Sequence, residues 1–210
     1  MNPVLYLCVM LSAVALAGIA SLFPSYKKLK QEYKDSIKLD ISVEQMIESE
    51  KKISAFYTVH KLKPGTSIKE VARILNVSKG NHSKGIEDQA RIDETENGKK
   101  HVTFKEGFTE AQNNFNFAHE CAHLINGDPI PATRPDEKNK PLKEQLADYT
   151  AAALLMPIEE VHTFLLTKNF NRATRNQKIR MVNALCRKYN VSEIIAMRRI
   201  MEVYTIKKTV

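Results

Sequence analysis

The stretch His119-Glu120-Cys121-Ala122-His123 constrains this chain more than any other. On an α-helix, positions i and i+4 share a face about one turn apart, so two imidazoles there can reach one metal ion through bonds of about 2.0–2.1 Å. Glu120 stands beside them, about 100° round the helix, where its carboxylate can lean over an open coordination position and hold a water. Catalytic zinc needs a third protein ligand and keeps a fourth position for water, so a second element must fold back on this helix. The competing reading is a surface helix with two incidental histidines. Cys121 lies two residues from each histidine and points away from the metal, as a small core side chain.

The third ligand has two candidates. A metzincin spacing needs a glycine and another histidine soon after His123, but Asn126 and Pro129 stand there and that class fails. Glu144 and Asp148 fall at i and i+4 on an Ala/Leu-rich helix predicted over Leu142–Met156 and stopped by Pro157. Glu144 can complete a His2Glu set, and Asp148 can accept the other ring N–H of a ligand histidine. Asp128 is nearer in sequence, on the Pro-rich loop 126–141, and is the rival. His101 and Tyr149 are outside candidates for stabilising an oxyanion.

The rest of the chain must supply a scaffold. At 210 residues with 43% hydrophobic and 27% charged residues, it has globular composition and excludes wholesale disorder. Three scattered cysteines, Cys8, Cys121 and Cys186, make no disulfide framework and point to a reducing compartment. Helical patterns run over Ile41–Ile53, from the Ser67/Glu70 capping box through Leu75, and over Thr109–Leu124. Residues 78–85 read as a loop. Strands are expected at Ile86–Asp93 and Lys100–Lys105, joined at Asn97-Gly98, which favours a hairpin turn.

Pro3–Phe23 carries no charge over 21 residues. A helix of that length rises roughly 30 Å, enough to span a membrane. No positive n-region precedes it, so an uncleaved anchor is expected rather than a signal peptide. Lys27, Lys28, Lys30 and Lys34 follow the run, which places the C-terminal side in the cytoplasm. Residues 165–210 hold eleven basic residues against Glu193 and Glu202 alone. Such a tail suits nucleic acid, anionic lipid, an acidic partner or simply solvent. Within it, Thr174–Tyr189, the turn Asn190-Val191 and Ser192–Val203 with Arg198 and Arg199 have the outline of a helix-turn-helix, or of a plain helical pair supporting the core.

Two segments carry a family likeness. Asn116-Phe117-Ala118-His119-Glu120-Cys121-Ala122-His123-Leu124-Ile125, followed by Glu144-Gln145-Leu146-Ala147-Asp148-Tyr149-Thr150-Ala151-Ala152-Ala153-Leu154-Leu155-Met156-Pro157, resembles the ImmA/IrrE metallopeptidases, across about residues 66–203. The chain departs from the family pattern at Thr150, where Phe is usual, and at Asn126-Gly127, where the helix normally continues to another histidine. The resemblance implies a gluzincin-like site: His119, His123 and Glu144 as Zn2+ ligands and Glu120 as catalytic acid/base. It also implies a protein substrate of the kind soluble members cut once, typically a transcriptional regulator.

These readings combine into an α+β fold, a mainly helical zincin-like metallopeptidase domain with a small β-hairpin or sheet, preceded by one transmembrane helix. The expected divisions are an anchor over 1–24, a juxtamembrane and helical lead-in over 25–65, a zinc core over 66–160 and a basic helical region over 161–210. Rival functions are a zinc-stabilised regulatory or DNA-binding module and a membrane-tethered scaffold with a degenerate site.

Overall fold

The computed structural model describes residues 41–86, 88–130 and 141–209. The expected span at Pro3–Phe23 lies outside the described residues. Among those described, no helix is long and apolar enough to cross a membrane. Residues 40–210 form one compact unit.

Helix α1 spans Val43–Val59, and its Ser42 and Gln45 form a reciprocal capping box. It runs six residues beyond the expected end at Ile53, far enough to bury Tyr57 as well. Helix α2, Ile68–Ile74, starts at the Ser67 cap. Three strands follow: β1 at Val77–Ser83, β2 at Ala90–Glu94 and β3 at Lys100–Lys105. The sheet order is β1-β3-β2, with β2 antiparallel and β1 parallel to β3.

Two expectations change here. Residues 78–83 of the loop expected over 78–85 lie in a strand. Their side chains hid it, because Val77 is the one buried residue of β1 and the strand is held by backbone pairing to β3 along the sheet edge. Gly80 shows how close that pairing is: a Cβ there would sit 2.8 Å from the Val102 carbonyl oxygen. The first hairpin strand starts at Ala90 instead of Ile86. The turn itself forms where Asn97-Gly98 predicts it, with Gly98 at φ +71° and its N–H donated to the Thr95 carbonyl.

Val102 and Phe104 of β3 and Ile92 of β2 are buried on one face of the sheet. Against that face lies α3, Glu110–Asn126, begun by a Thr109/Gln112 capping box. Phe104 meets its Phe117 at 6.2 Å between ring centroids. Every residue of α3 from Phe115 to His123 is buried, so the helix is covered on all sides. Helix α4, Leu142–Leu155, packs along it and is buried continuously from Ala147 onward. Helix α5, Ile158–Thr167, a short 3-10 turn at Phe170–Arg172, α6 at Arg175–Tyr189 and α7 at Glu193–Thr209 complete the unit.

In the α6–α7 pair, the two arginines that gave it the outline of a helix-turn-helix face inward. Arg198 is 5% exposed and Arg199 is fully buried, so neither is presented to a nucleic acid. Arg199 donates to Glu50 of α1 at 2.7 Å, to the Met156 carbonyl at 2.8 Å and to the Tyr149 hydroxyl at 3.2 Å. Glu202 lies 3.4 Å away on the next turn. A buried pair broken on one side leaves an uncompensated charge, so Arg199→Met is expected to lower stability by about 3–5 kcal/mol. Denaturant unfolding of the full chain measures this; a loss under about 1 kcal/mol would mean that the network contributes little.

Candidate metal centre

The register of α3 places His119 and His123 one turn apart, with their rings edge to face at 82°. Glu144 enters from the first turn of α4. The three donor atoms converge: His119 Nε2 is 3.0 Å from His123 Nε2, and Glu144 Oε2 is 3.3 and 3.6 Å from the two nitrogens. Each of the three residues is at most 1% exposed.

The hydrogen positions follow from the neighbours. His119 Nδ1 lies 2.8 Å from Asp148 Oδ1, and His123 Nδ1 lies 2.8 Å from Asp128 Oδ2. An ionised carboxylate only accepts, so each Nδ1 carries its hydrogen and each neutral ring turns a lone pair inward on Nε2. Two lone pairs and a carboxylate oxygen thus face one another in a buried space. Without a cation, that concentration of acceptors is costly. Glu144 Oε1 is also buried with no hydrogen-bond partner. Tetrahedral coordination with bonds of about 2.0–2.1 Å sets ligand atoms about 3.3–3.4 Å apart, close to the spacing seen here. The His119, His123 and Glu144 set therefore fits zinc.

Asp128 is placed differently from the expectation that made it a rival ligand. It holds the far nitrogen of His123 and stands outside the donor triangle. Local backbone dictates this. Gly127 ends α3 in the left-handed region at φ +82°, and the Asp128 N–H returns to the His123 carbonyl at 2.9 Å. That turn swings the Asp128 side chain back onto the same residue. Glycine after the helix and aspartate after glycine were the available sequence signals. Asp148, one turn along α4 from Glu144, meets His119 at Nδ1.

Glu120 is buried beside the histidines at 3% exposure. Cys121 is fully buried, and burial together with the Glu120 charge pushes its thiol far above the usual range, which suits an inert core residue. Tyr149 faces away from the cluster and donates its hydroxyl to Glu50. His101 alternates with Val102 and Phe104 on β3, which puts it on the sheet face opposite α3. Neither joins the metal cluster. The two departures from the family pattern meet each other: Thr150 donates its hydroxyl to Asn126 Oδ1 at 3.2 Å, tying the end of α3 to α4.

Charge in the cluster is strongly coupled. Burial alone would lower the His123 pKa, but the Glu144 and Asp128 carboxylates and the Glu120 charge outweigh it and hold it above 6.5. Burial alone would raise Glu144, but the two imidazoles outweigh it and hold it far below 4.5. Without a metal ion, a second proton on His123 relieves that crowding of acceptors, and the charge pair it forms with ionised Glu144 supports the fold. The His123 contribution is full below pH 6.5 and lost as pH rises through its raised pKa. The Glu144 contribution is present above pH 4.5 and lost as pH falls through its depressed pKa. The pair therefore stabilises the metal-free chain most between these two values. Zinc requires deprotonated imidazole, so stabilisation by added zinc should grow from weak acid toward neutral pH. Thermal melts with and without zinc across that range test this, and a zinc effect independent of pH contradicts it.

An α+β body with this buried donor triad on two packed helices is a zincin-like domain. A family model for the IrrE N-terminal-like domain, Peptidase_M78, matches residues 74–201, more than half of the 210-residue chain. The chain belongs to that family, whose name marks a metallopeptidase lineage. A comparison with curated proteins gives no match. Among solved structures, a Mycobacterium tuberculosis transcriptional regulator is similar at 16% identity, with a TM-score of 0.48 over 80% of this chain and 50% of that one. The chain thus spans about half the length of that regulator.

Proposed function

We propose that the chain is a membrane-anchored zinc metallo-endopeptidase that cuts a regulatory protein on the cytoplasmic side. One observation carries the reading: two imidazole lone pairs and a carboxylate oxygen converge in a buried space with Glu120 one residue from the first histidine. Zinc, when bound, supplies Lewis-acid polarisation of a peptide carbonyl and lowers the pKa of water toward neutrality. His119, His123 and Glu144 hold it. Asp148 and Asp128 fix the tautomer and orientation of the two imidazoles. Glu120 takes a proton from the attacking water and passes it to the leaving amine nitrogen.

The anchor rests on the uncharged run Pro3–Phe23, and the orientation on the four lysines that follow it. The regulatory substrate rests on the family likeness. The competing DNA-binding reading leaned on Arg198 and Arg199, which are buried.

The test adds the full chain in detergent to a cell extract, with zinc or with a chelator, and labels newly formed protein N-termini. A small set of zinc-dependent termini is the expected result. Termini unchanged by zinc or by the protein would overturn the peptidase reading.

A further inference from the structure

Arg198 of the C-terminal helix α7 reaches the residues around the metal centre. It donates from Nη2 to the Asp148 backbone carbonyl at 2.7 Å, and its Nη1 lies 3.7 Å from Asp148 Oδ2. The other oxygen of that carboxylate holds His119. The guanidinium also stacks over the Phe115 ring at 5.4 Å, and Phe115 sits one helical turn before His119 on α3. On its far side, Nε stands 3.3 Å from Glu202 Oε1, an ion pair rather than an aligned hydrogen bond. A single buried fork thus touches both helices that carry the donor atoms, α3 through Phe115 and α4 through Asp148. Arginine suits this place because its planar fork can engage a carbonyl and a carboxylate while its face lies on a ring; lysine offers one point charge.

We propose that Arg198 sets the zinc affinity of the site by holding Asp148, and through it His119, in the binding geometry. Resting on the zinc reading above, this makes Arg198 a positioning residue that touches neither metal nor substrate. The neighbouring Arg199 is equally buried but is engaged with Glu50, Tyr149 and the Met156 carbonyl, away from Asp148. The two adjacent arginines therefore divide their work: one holds the C-terminal helix on α1, and the other steadies the metal site.

A double-mutant cycle separates this from a merely structural role. Zinc dissociation constants are measured by chelator competition on the full chain in detergent, for wild type, Arg198→Met, Asp148→Asn and the double variant. Asp148→Asn removes the outer partner of a metal ligand and should weaken binding by about 10–100-fold; Arg198→Met, which acts through Asp148, should weaken it by about 10-fold, the lower end of that range. In the Asp148→Asn background the same change should cost under about 3-fold, because its route to His119 is already cut. Arg198→Lys, which keeps the charge and the fold, should fall between wild type and Arg198→Met. Glu50→Gln, which disturbs only the Arg199 side, should leave zinc affinity within about 2-fold. Equal effects of Arg198→Met in both backgrounds, or an equal loss from Glu50→Gln, would overturn the proposal. Absence of zinc binding by the wild type would instead remove the zinc reading and this inference with it.

Discussion

Glu120→Gln is expected to abolish cleavage while the protein keeps its zinc. The substitution preserves the volume of the side chain and removes its capacity to hold a proton. Positioned acid–base catalysis contributes about 10²–10⁴-fold, so residual turnover should drop by at least that factor. None of the three donor atoms belongs to Glu120, and zinc content should stay near one per chain. The charge of Glu120 also helps to hold the His123 pKa up, so the variant should bind zinc at slightly lower pH than wild type. Full proteolysis by the variant would exclude Glu120 as the proton carrier.

The second large effect separates the two acidic residues that compete in sequence. Glu144→Ala should empty the site, because it deletes one of three donors and leaves two imidazoles alone. Asp128→Ala should keep zinc at reduced affinity, by about 10–100-fold, since Asp128 orients His123 from outside the triangle. Metal content after dialysis at a fixed zinc concentration reads both. Equal losses in the two variants would mean that Asp128 and Glu144 do not differ as orienting residue and ligand.

Some of this arrangement is legible from residue spacing alone. Helical periodicity locates α3 and α4, and the i, i+4 rule puts each pair of site residues on one face. Asn97-Gly98 marks the hairpin for the same local reason. What escapes is long-range or carried by backbone. Strand β1 has one buried side chain and no alternating pattern, so its pairing to β3 is written in main-chain geometry. Asp128 looks like a loop ligand until the left-handed turn at Gly127 is known. Arg198 and Arg199 read as an exposed basic pair because charge normally faces solvent. Their burial depends on carboxylates as far away as Glu50, 149 residues distant from Arg199.

The two histidines are secured over very different lengths of chain. His123 finds Asp128 five residues on, whereas His119 waits for Glu144 and Asp148, 25 and 29 residues on. Closing the short turn costs little and needs only the end of one helix, while the longer closures need a second helix already formed. The His123–Asp128 pair thus needs only α3 and the turn after it, and the donor triangle needs α4 as well. A metal ion that needs all three donors therefore depends on the packing of α4 against α3, and a change that loosens that contact opens the triangle without touching a donor.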